Sequence, residues 1–261
     1  MDKNSMITRS SCVGAWALLA PAILLAQQPN LSGTWKLNLA KSQLSGVAYT
    51  FDKKPSGVWH YSGGGFDADF DLTGKEYTMP SGVSIIGKEV NPRSWELSFG
   101  MNGKPISKSK VTLQRDSMMW VSDVTNPEGK TVQQTSTDTR MSGGPGFAGK
   151  WKAGNPKGAS TTLKITMQGT DGMTIEVPEY QQATKGSFDG KDYPVMQAGQ
   201  ASKFTNTFAK SGPNSFKIAT KLNGKPFAVD VYILSADGKT LTDETTVIAT
   251  SEKTKAVFDR Q

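Results

Sequence analysis

The sequence contains one histidine, which is the first residue to consider for acid–base or metal chemistry. His60 lies between Trp59 and Tyr61, and strand alternation would place it on the face opposite those two rings. A catalytic histidine normally needs an orienting carboxylate and a nucleophile, and the sequence identifies neither beside it. We therefore predict no catalytic residue, no metal ligand and no cofactor.

The densest group of carboxylates is Asp67, Asp69 and Asp71, with Glu76 after it. The D-x-D-x-D spacing resembles the beginning of a calcium-binding loop, but Leu72 stands where such a loop needs glycine for its sharp turn. The residues between the acids are apolar, so the pattern favours a strand with a solvated acidic face. A carboxylate pair for hydrolysis stays open, because its spacing is three-dimensional.

Aromatic residues are distributed unequally along the chain. Residues 27–140 contain four tryptophans and residues 147–261 contain one. Small ligand pockets are lined by apolar and aromatic groups with a few polar ones, so we predict a pocket in the first half. The predicted lining residues, with three methionines as adaptable filler, are Trp59, Tyr61, Trp95, Phe99, Trp120, Met101, Met118 and Met119. The other interpretation, in which these residues fill a closed core, also stays open.

An internal repeat defines the elements that must position these residues. Three short segments recur in the same order in the second half of the chain. Residues 31–36 recur as 147–152 and residues 74–77 as 190–193, both at an offset of 116 (149 − 33). Residues 102–105 recur as 223–226, at an offset of 121 (223 − 102). The two halves should therefore share a fold.

Short alternating strands dominate the predicted secondary structure. Trp95, Leu97, Phe99 and Met101 alternate with other residues, and the Asn-Gly pair that follows favours a tight hairpin. Residues 227, 229, 231 and 233 repeat this pattern in the second half. Each unit has room for about eight to ten strands, and closing into a barrel removes the sheet edges.

The predicted fold is all-β, with two tandem antiparallel β-barrels after a signal peptide; a sandwich is the second choice. The boundaries place a signal peptide at 1–26, the first barrel at 27–140, a Gly/Pro linker at 141–146 and the second barrel at 147–261. Residues 1–26 have a short polar start and an apolar run too short to span a bilayer comfortably. We expect an exported protein, periplasmic or secreted, that does not span the membrane when mature.

Removing residues 1–26 takes away the only cysteine and leaves 28 basic and 22 acidic residues, a net charge of +6. Disulfides and thiolate chemistry are therefore excluded for the mature chain. The scattered lysines favour a solvated surface, with an anionic envelope polymer as the sharper alternative. Nucleic acid is not an expected partner of an exported chain.

Two Gly-x-Trp sequences carry a resemblance to a known superfamily. Gly33 and Trp35 open the first unit, and Gly149 and Trp151 open the second. A first strand of this kind, followed by an antiparallel meander, resembles the lipocalin and fatty-acid-binding (calycin) barrels. The resemblance implies that each Trp plugs a barrel end under an Arg from a last strand, and the matching arginines are Arg140 and Arg260.

More closely, residues 33–38, 188–194 and 237–242 look like a group of exported bacterial proteins of unassigned function. This similarity implies no catalytic residue. We expect a non-enzymatic protein that holds a small apolar or amphipathic molecule in a barrel. Two other classes stay open: a structural or adhesive envelope module with dry barrels, and a hydrolase that uses carboxylates.

Overall fold

The computed structural model describes residues 30–79, 81–101, 103–125 and 129–261. The predicted signal peptide, residues 1–26, lies outside this part of the chain. The described residues form twenty strands and two single 3-10 turns, Leu39–Lys41 and Pro178–Tyr180. None of their helices is long and apolar enough to cross a membrane.

Ten antiparallel strands form the first sheet. They are β2 (Ala48–Lys53), β3 (Trp59–Gly63), β4 (Phe66–Phe70), β5 (Thr73–Thr78), β6 (Val83–Asn91), β7 (Ser94–Met101), β8 (Lys104–Leu113), β9 (Ser117–Thr125), β10 (Thr131–Ser142) and β11 (Gly149–Lys152). Their spatial order is β4-β3-β2-β11-β10-β9-β8-β7-β6-β5. The sheet is barrel-shaped, with its seam between β4 and β5, where the backbone N–H of Glu89 donates to the carbonyl of Leu72.

The second sheet also has ten antiparallel strands and is a closed barrel. They are β1 (Gly33–Leu37), β12 (Thr162–Gln168), β13 (Gly172–Val177), β14 (Gln182–Ser187), β15 (Asp192–Gln197), β16 (Gln200–Gly212), β17 (Ser215–Leu222), β18 (Lys225–Leu234), β19 (Thr240–Val247) and β20 (Lys253–Arg260). β1 closes the barrel because it pairs with both β12 and β20. The predicted all-β fold of two antiparallel barrels is therefore confirmed.

The two sheets exchange their first strands. β1 lies in the second sheet, where Trp35 is opposite Leu163 on one side and Arg260 on the other. β11 lies in the first sheet, where Trp151 is opposite Tyr49 and Arg140. The predicted units 27–140 and 147–261 thus each contribute one strand to the sheet formed mainly by the other.

Alternation along each strand directs one set of side chains into each barrel. Trp95 and Leu97 are buried inside the first sheet, as the sequence pattern predicts. In β18 the other set faces inward, and these residues are Ala228, Asp230, Tyr232 and Leu234. Ile233, which the pattern placed on the buried face, is 41% exposed. Thr220 pairs with Ala228 and Lys221 with Pro226, so Phe227 is one extra residue in β18 after the Asn223-Gly224 turn, and a shift of one residue reverses the faces.

The two barrels face each other through a cluster of three phenylalanines. The ring of Phe66, from the first sheet, lies 4.8 Å from the ring of Phe227 and 6.5 Å from that of Phe204, both from the second sheet. Gly65 also lies in this contact, where a Cβ atom would come within 2.9 Å of Phe227. The ends that meet are opposite those closed by Trp35 and Trp151.

Candidate functional site

The first sheet encloses a cavity of about 290 Å³, which we call the first cavity. Aromatic side chains form most of its wall, with three aliphatic or thioether groups and one carboxyl group. The lining residues are Tyr49, Phe51, Tyr61, Phe66, Phe70, Phe99, Trp120, Met79, Ile85, Leu97 and Asp138. A wall of this composition is suited to a flat apolar molecule that carries a small polar group.

Three of the five predicted pocket residues line the first cavity: Tyr61, Phe99 and Trp120. Trp59 and Trp95 do not. Their rings pack edge to face at 4.7 Å, and Trp95 also stacks on Phe147 at 3.8 Å. These two tryptophans belong to the buried core of the same sheet.

The three predicted filler methionines do not line the first cavity. Met101 and Met118 are buried in the sheet, whereas Met119 is only half-buried because it points to the opposite face of β9 from Met118. The sequence also missed Tyr49 and Asp138. Both occupy inward positions on strands that have weak alternation, so no local pattern marked them.

A short polar network lies at the inner end of the first cavity. The Tyr49 hydroxyl donates to Asp138 Oδ2, and the backbone N–H of Gly154 donates to Asp138 Oδ1 at 2.9 Å. Trp120 Nε1 lies close to this pair but is buried without a hydrogen bond of good geometry in the described structure. A ligand oxygen could satisfy this donor.

Burial controls the ionisation of this network. Desolvation raises the pKa of the Asp138 carboxyl, and the hydrogen bond from Tyr49 opposes this rise. Burial, followed by the nearby Asp138 charge, raises the pKa of Tyr61 to about 12. The same two causes raise the pKa of Tyr49 further. Both phenols are therefore protonated and can act as donors at neutral pH.

The second sheet encloses a larger cavity of about 400 Å³, the second cavity. Half of its lining residues are polar, in contrast to the first cavity. They are Gln182, Thr184, Gln197, Asn206, Thr220, Asp230, Tyr232 and Thr245. Asn206 Nδ2 donates to Thr184 Oγ1 at 3.1 Å, and Thr220 Oγ1 donates to Asn206 Oδ1 at 2.9 Å.

Matching registers explain the difference between the two cavities. The inward pairs of β8 and β9 are Leu113–Met118, Val111–Trp120 and Ser109–Ser122. Those of β18 and β19 are Leu234–Leu241, Tyr232–Asp243 and Asp230–Thr245. Trp120 and Asp243 therefore occupy equivalent positions, and so do Ser109 and Asp230.

The same comparison holds one strand further along each sheet. Ile85 pairs with Phe99 in the first sheet, and Asn206 pairs with Thr220 in the second. Polar residues thus replace apolar ones at several equivalent inward positions, and the two cavities have different chemistry within one architecture.

Asp230 lines the second cavity from β18, and Asp243 lies close to it on the inward face of β19 without lining the cavity. Thr245 Oγ1 donates to Asp230 Oδ1 at 2.7 Å, whereas Asp243 Oδ1 is buried and has no hydrogen-bond partner among the described residues. Burial raises the pKa of both groups, and the charge of Asp230 raises that of Asp243 further. Among the residues that the structure describes, no lysine, arginine or histidine lines this cavity.

Each Trp of the predicted structural motif lies under an Arg from the neighbouring strand, directly opposite it in the pairing. The Arg260 guanidinium carbon is 4.1 Å from the centre of the Trp35 ring, and Arg140 is at the same distance from Trp151. Cation–π contacts of this kind stabilise by about 1 kcal/mol. Because of the strand exchange, each Arg covers the Trp of the other repeat.

The motif glycines make this packing possible. A Cβ on Gly33 would lie 2.7 Å from a guanidinium nitrogen of Arg260, and one on Gly149 would lie 2.4 Å from the Ser142 carbonyl oxygen. Both glycines also have positive φ angles, 155° and 132°, and residues with a side chain rarely adopt such backbone conformations. Larger residues would displace the Arg or the neighbouring strand.

His60 and the acidic segment lie on the outer face of the first sheet. His60 Nδ1 is 2.7 Å from Asp69 Oδ1, and the Lys54 ammonium is 2.7 Å from the other oxygen of the same carboxylate. Asp67 and Asp69 are exposed, as the alternation predicts. Within the described ranges, no group of three or more His, Cys, Asp and Glu side chains could hold a metal ion.

The two ten-stranded antiparallel, barrel-shaped sheets are consistent with a calycin-like barrel fold. No family model matches the sequence, and neither a characterised protein nor a solved structure is similar to the chain.

Proposed function

We propose that this chain is an exported, non-enzymatic binding protein that holds a small apolar or amphipathic molecule in the first cavity. The observation that carries the proposal is the composition of that cavity, an aromatic wall with the Tyr49–Asp138 pair and the Trp120 indole N–H at one end. Aromatic walls bind by apolar burial and ring packing, and the polar end would fix the orientation of the ligand.

The wider proposal includes export to the periplasm or the medium and membership in the group of exported bacterial proteins that the sequence resembles. Recurring sequence markers and matching registers in the two sheets support an origin by tandem duplication. A dry structural module is less well supported, because both barrels contain cavities.

One mutation and its neighbour on the same strand test the binding proposal. Ile85 points into the first cavity, and Ile86 is 38% exposed on the outer face. Ile85→Trp should fill the cavity, whereas Ile86→Trp adds the same ring outside it. We expect 2-naphthol to bind the mature chain and to quench tryptophan fluorescence. Ile85→Trp should weaken binding about tenfold or more, and Ile86→Trp should leave it unchanged.

The natural occupant can be sought in protein purified from its own host. Native mass spectrometry of residues 27–261 should reveal a stoichiometric apolar adduct, which denaturing extraction would release and Ile85→Trp would abolish. Equal binding of 2-naphthol by both Trp variants, or a clean apo mass together with no response to the probe, would contradict the proposal.

A carboxylate-based hydrolase is the second candidate, and Asp230 and Asp243 favour it because they lie close together on adjacent strands, with Asp230 lining the second cavity. Hydrolases of this type need one protonated and one ionised carboxyl group, and mutual repulsion favours that state. Release of nitrophenol from nitrophenyl glycosides by the wild type, lost in Asp243→Asn, would support this candidate. No release by the wild type would leave the binding proposal in place.

A further inference from the structure

We propose that the second cavity is a separate site for a small organic cation, a protonated primary amine, which Asp230 binds at the wall, with Asp243 beside it on the neighbouring strand adding negative charge. This site goes beyond the function proposed for the first cavity and does not depend on it. The argument rests on the charge of the wall, on unfilled hydrogen-bonding capacity and on the comparison between the two barrels.

The charge of the wall is uncompensated inside the protein. Asp230 accepts one hydrogen bond, from Thr245, and Asp243 is hydrogen-bonded by Tyr232, whereas its Oδ1 accepts none among the described residues. The cavity is lined by no basic side chain. Buried carboxylates without a partner are costly, and a cation that also donates hydrogen bonds relieves this cost. An ammonium group supplies both the charge and three donors.

The remaining wall suits the organic part of such a molecule. Asn206 already has both its Thr184 and Thr220 hydrogen bonds, so this cluster needs no partner from a ligand. Apolar side chains, among them Ile175 and Ile218, line the space beside it. A cavity of about 400 Å³ has room for a small ring or a short chain attached to the ammonium group.

The first barrel lacks this charge pair at the equivalent positions. Ser109 replaces Asp230 there and donates to or accepts from Ser122 at 2.8 Å, and Trp120 replaces Asp243. The architecture therefore does not require acids at these places. The first cavity serves as an internal comparison that should not prefer amines over alcohols.

Few titratable groups can disturb the pair. Tyr232, from β18, is protonated because burial raises its pKa, and it hydrogen-bonds to Asp243. β17 and β20 present Ile218, Thr220, Ala256 and Phe258 on their inward faces, none of which ionises. Glu244, the next residue after Asp243, is exposed on the outer face.

The test compares cyclohexylamine with cyclohexanol, which has nearly the same shape and no charge. Calorimetry on residues 27–261 at about pH 8 should give an affinity for the amine about tenfold or more above that for the alcohol. Binding should weaken as the pH falls, because burial raises the pKa of both carboxyl groups and they take up protons while the amine stays charged.

Asp230→Asn should weaken amine binding about tenfold, Asp243→Asn should weaken it less because Asp243 acts only through its charge, and Glu244→Gln should leave it unchanged. The pH profile of the wild type gives a second result if an Asn variant fails to fold. Equal affinities for amine and alcohol, no pH dependence, or preferential Ca²⁺ binding would overturn the proposal. A 2-naphthol titration of the same preparation tests the first cavity separately, so a failure of the amine site can be distinguished from a failure of the first-cavity proposal.

Discussion

The Arg260 side chain packs over the ring of Trp35 and binds the backbone of the segment that precedes β1. Its guanidinium carbon lies 4.1 Å from the centre of the Trp35 ring, and its nitrogens donate to the backbone carbonyls of Asn30, Ser32 and Gly238. One side chain thus holds β1, the segment before it and the β18–β19 turn at the closed end of the second barrel.

Arg260→Ala should destabilise the protein strongly. The change removes the cation–π contact and leaves three carbonyls without this donor, so we expect a loss of about 2–3 kcal/mol in the free energy of unfolding. Urea denaturation at neutral pH measures it. Arg115→Ala is the matched control, because the Arg115 side chain is 96% exposed. Equal effects of the two substitutions would show that Arg260 does not hold the barrel end.

The strand exchange can be tested by disulfide formation, because residues 27–261 contain no cysteine. Lys36 is opposite Asp259 in the exchanged arrangement. If β1 instead took the place of β11, Lys36 would take the place of Lys152, which is opposite Thr139. We expect Lys36→Cys with Asp259→Cys to oxidise to a disulfide, since directly opposite residues lie within disulfide range.

Lys36→Cys with Thr139→Cys is the control pair for the unexchanged arrangement and should stay reduced. Mass spectrometry of proteolytic fragments identifies the cross-link within one chain. A disulfide in the control pair, with free thiols in the first pair, would contradict the exchange.

The stability of the second barrel should depend on pH through its buried acids. Burial raises the pKa of Asp230 and Asp243 above the values of the unfolded chain. Their contribution to stability is therefore full below about pH 4 and is lost as the pH rises through their folded pKa values. Asp243→Asn should make the protein more stable than the wild type at about pH 8, on the order of 1 kcal/mol, with the difference shrinking toward about pH 4.

Denaturation curves across this range measure the effect, and Glu244→Gln provides the control on the outer face of the same strand. Exposed carboxyls such as Asp69 and Asp192 have lowered pKa values because of hydrogen bonds from Lys54 and Lys221. Their contributions to folding stability are present above about pH 4 and are lost below it. They therefore change stability in a different pH range from Asp230 and Asp243. A difference in unfolding free energy between Asp243→Asn and the wild type that stays constant across this pH range would contradict the raised pKa of Asp243.

Prediction from sequence succeeded where local alternation had one interpretation. In β7 only one of the two alternating sets of residues is strongly apolar, so the sequence showed that Trp95 and Leu97 lie on the buried face. In β18 both sets contain apolar residues, and the bulge at Phe227 that decides between them depends on the pairing with β17. The sequence pattern therefore placed Asp230 on the solvent-exposed face of β18, and the second cavity was not predicted.

The sequence alone determined that the chain forms short antiparallel strands in two similar barrels and that each barrel needs a Gly-x-Trp strand. Alternation and turn residues are local properties, and they act over a few neighbouring positions. The tertiary structure decided which Trp meets which Arg. β1 and β11 carry nearly the same residues, so either can fill either gap, and only the path of the whole chain selects the exchanged pairing. It also decided which aromatics surround space and which fill it, because a cavity depends on packing between side chains that are distant in sequence.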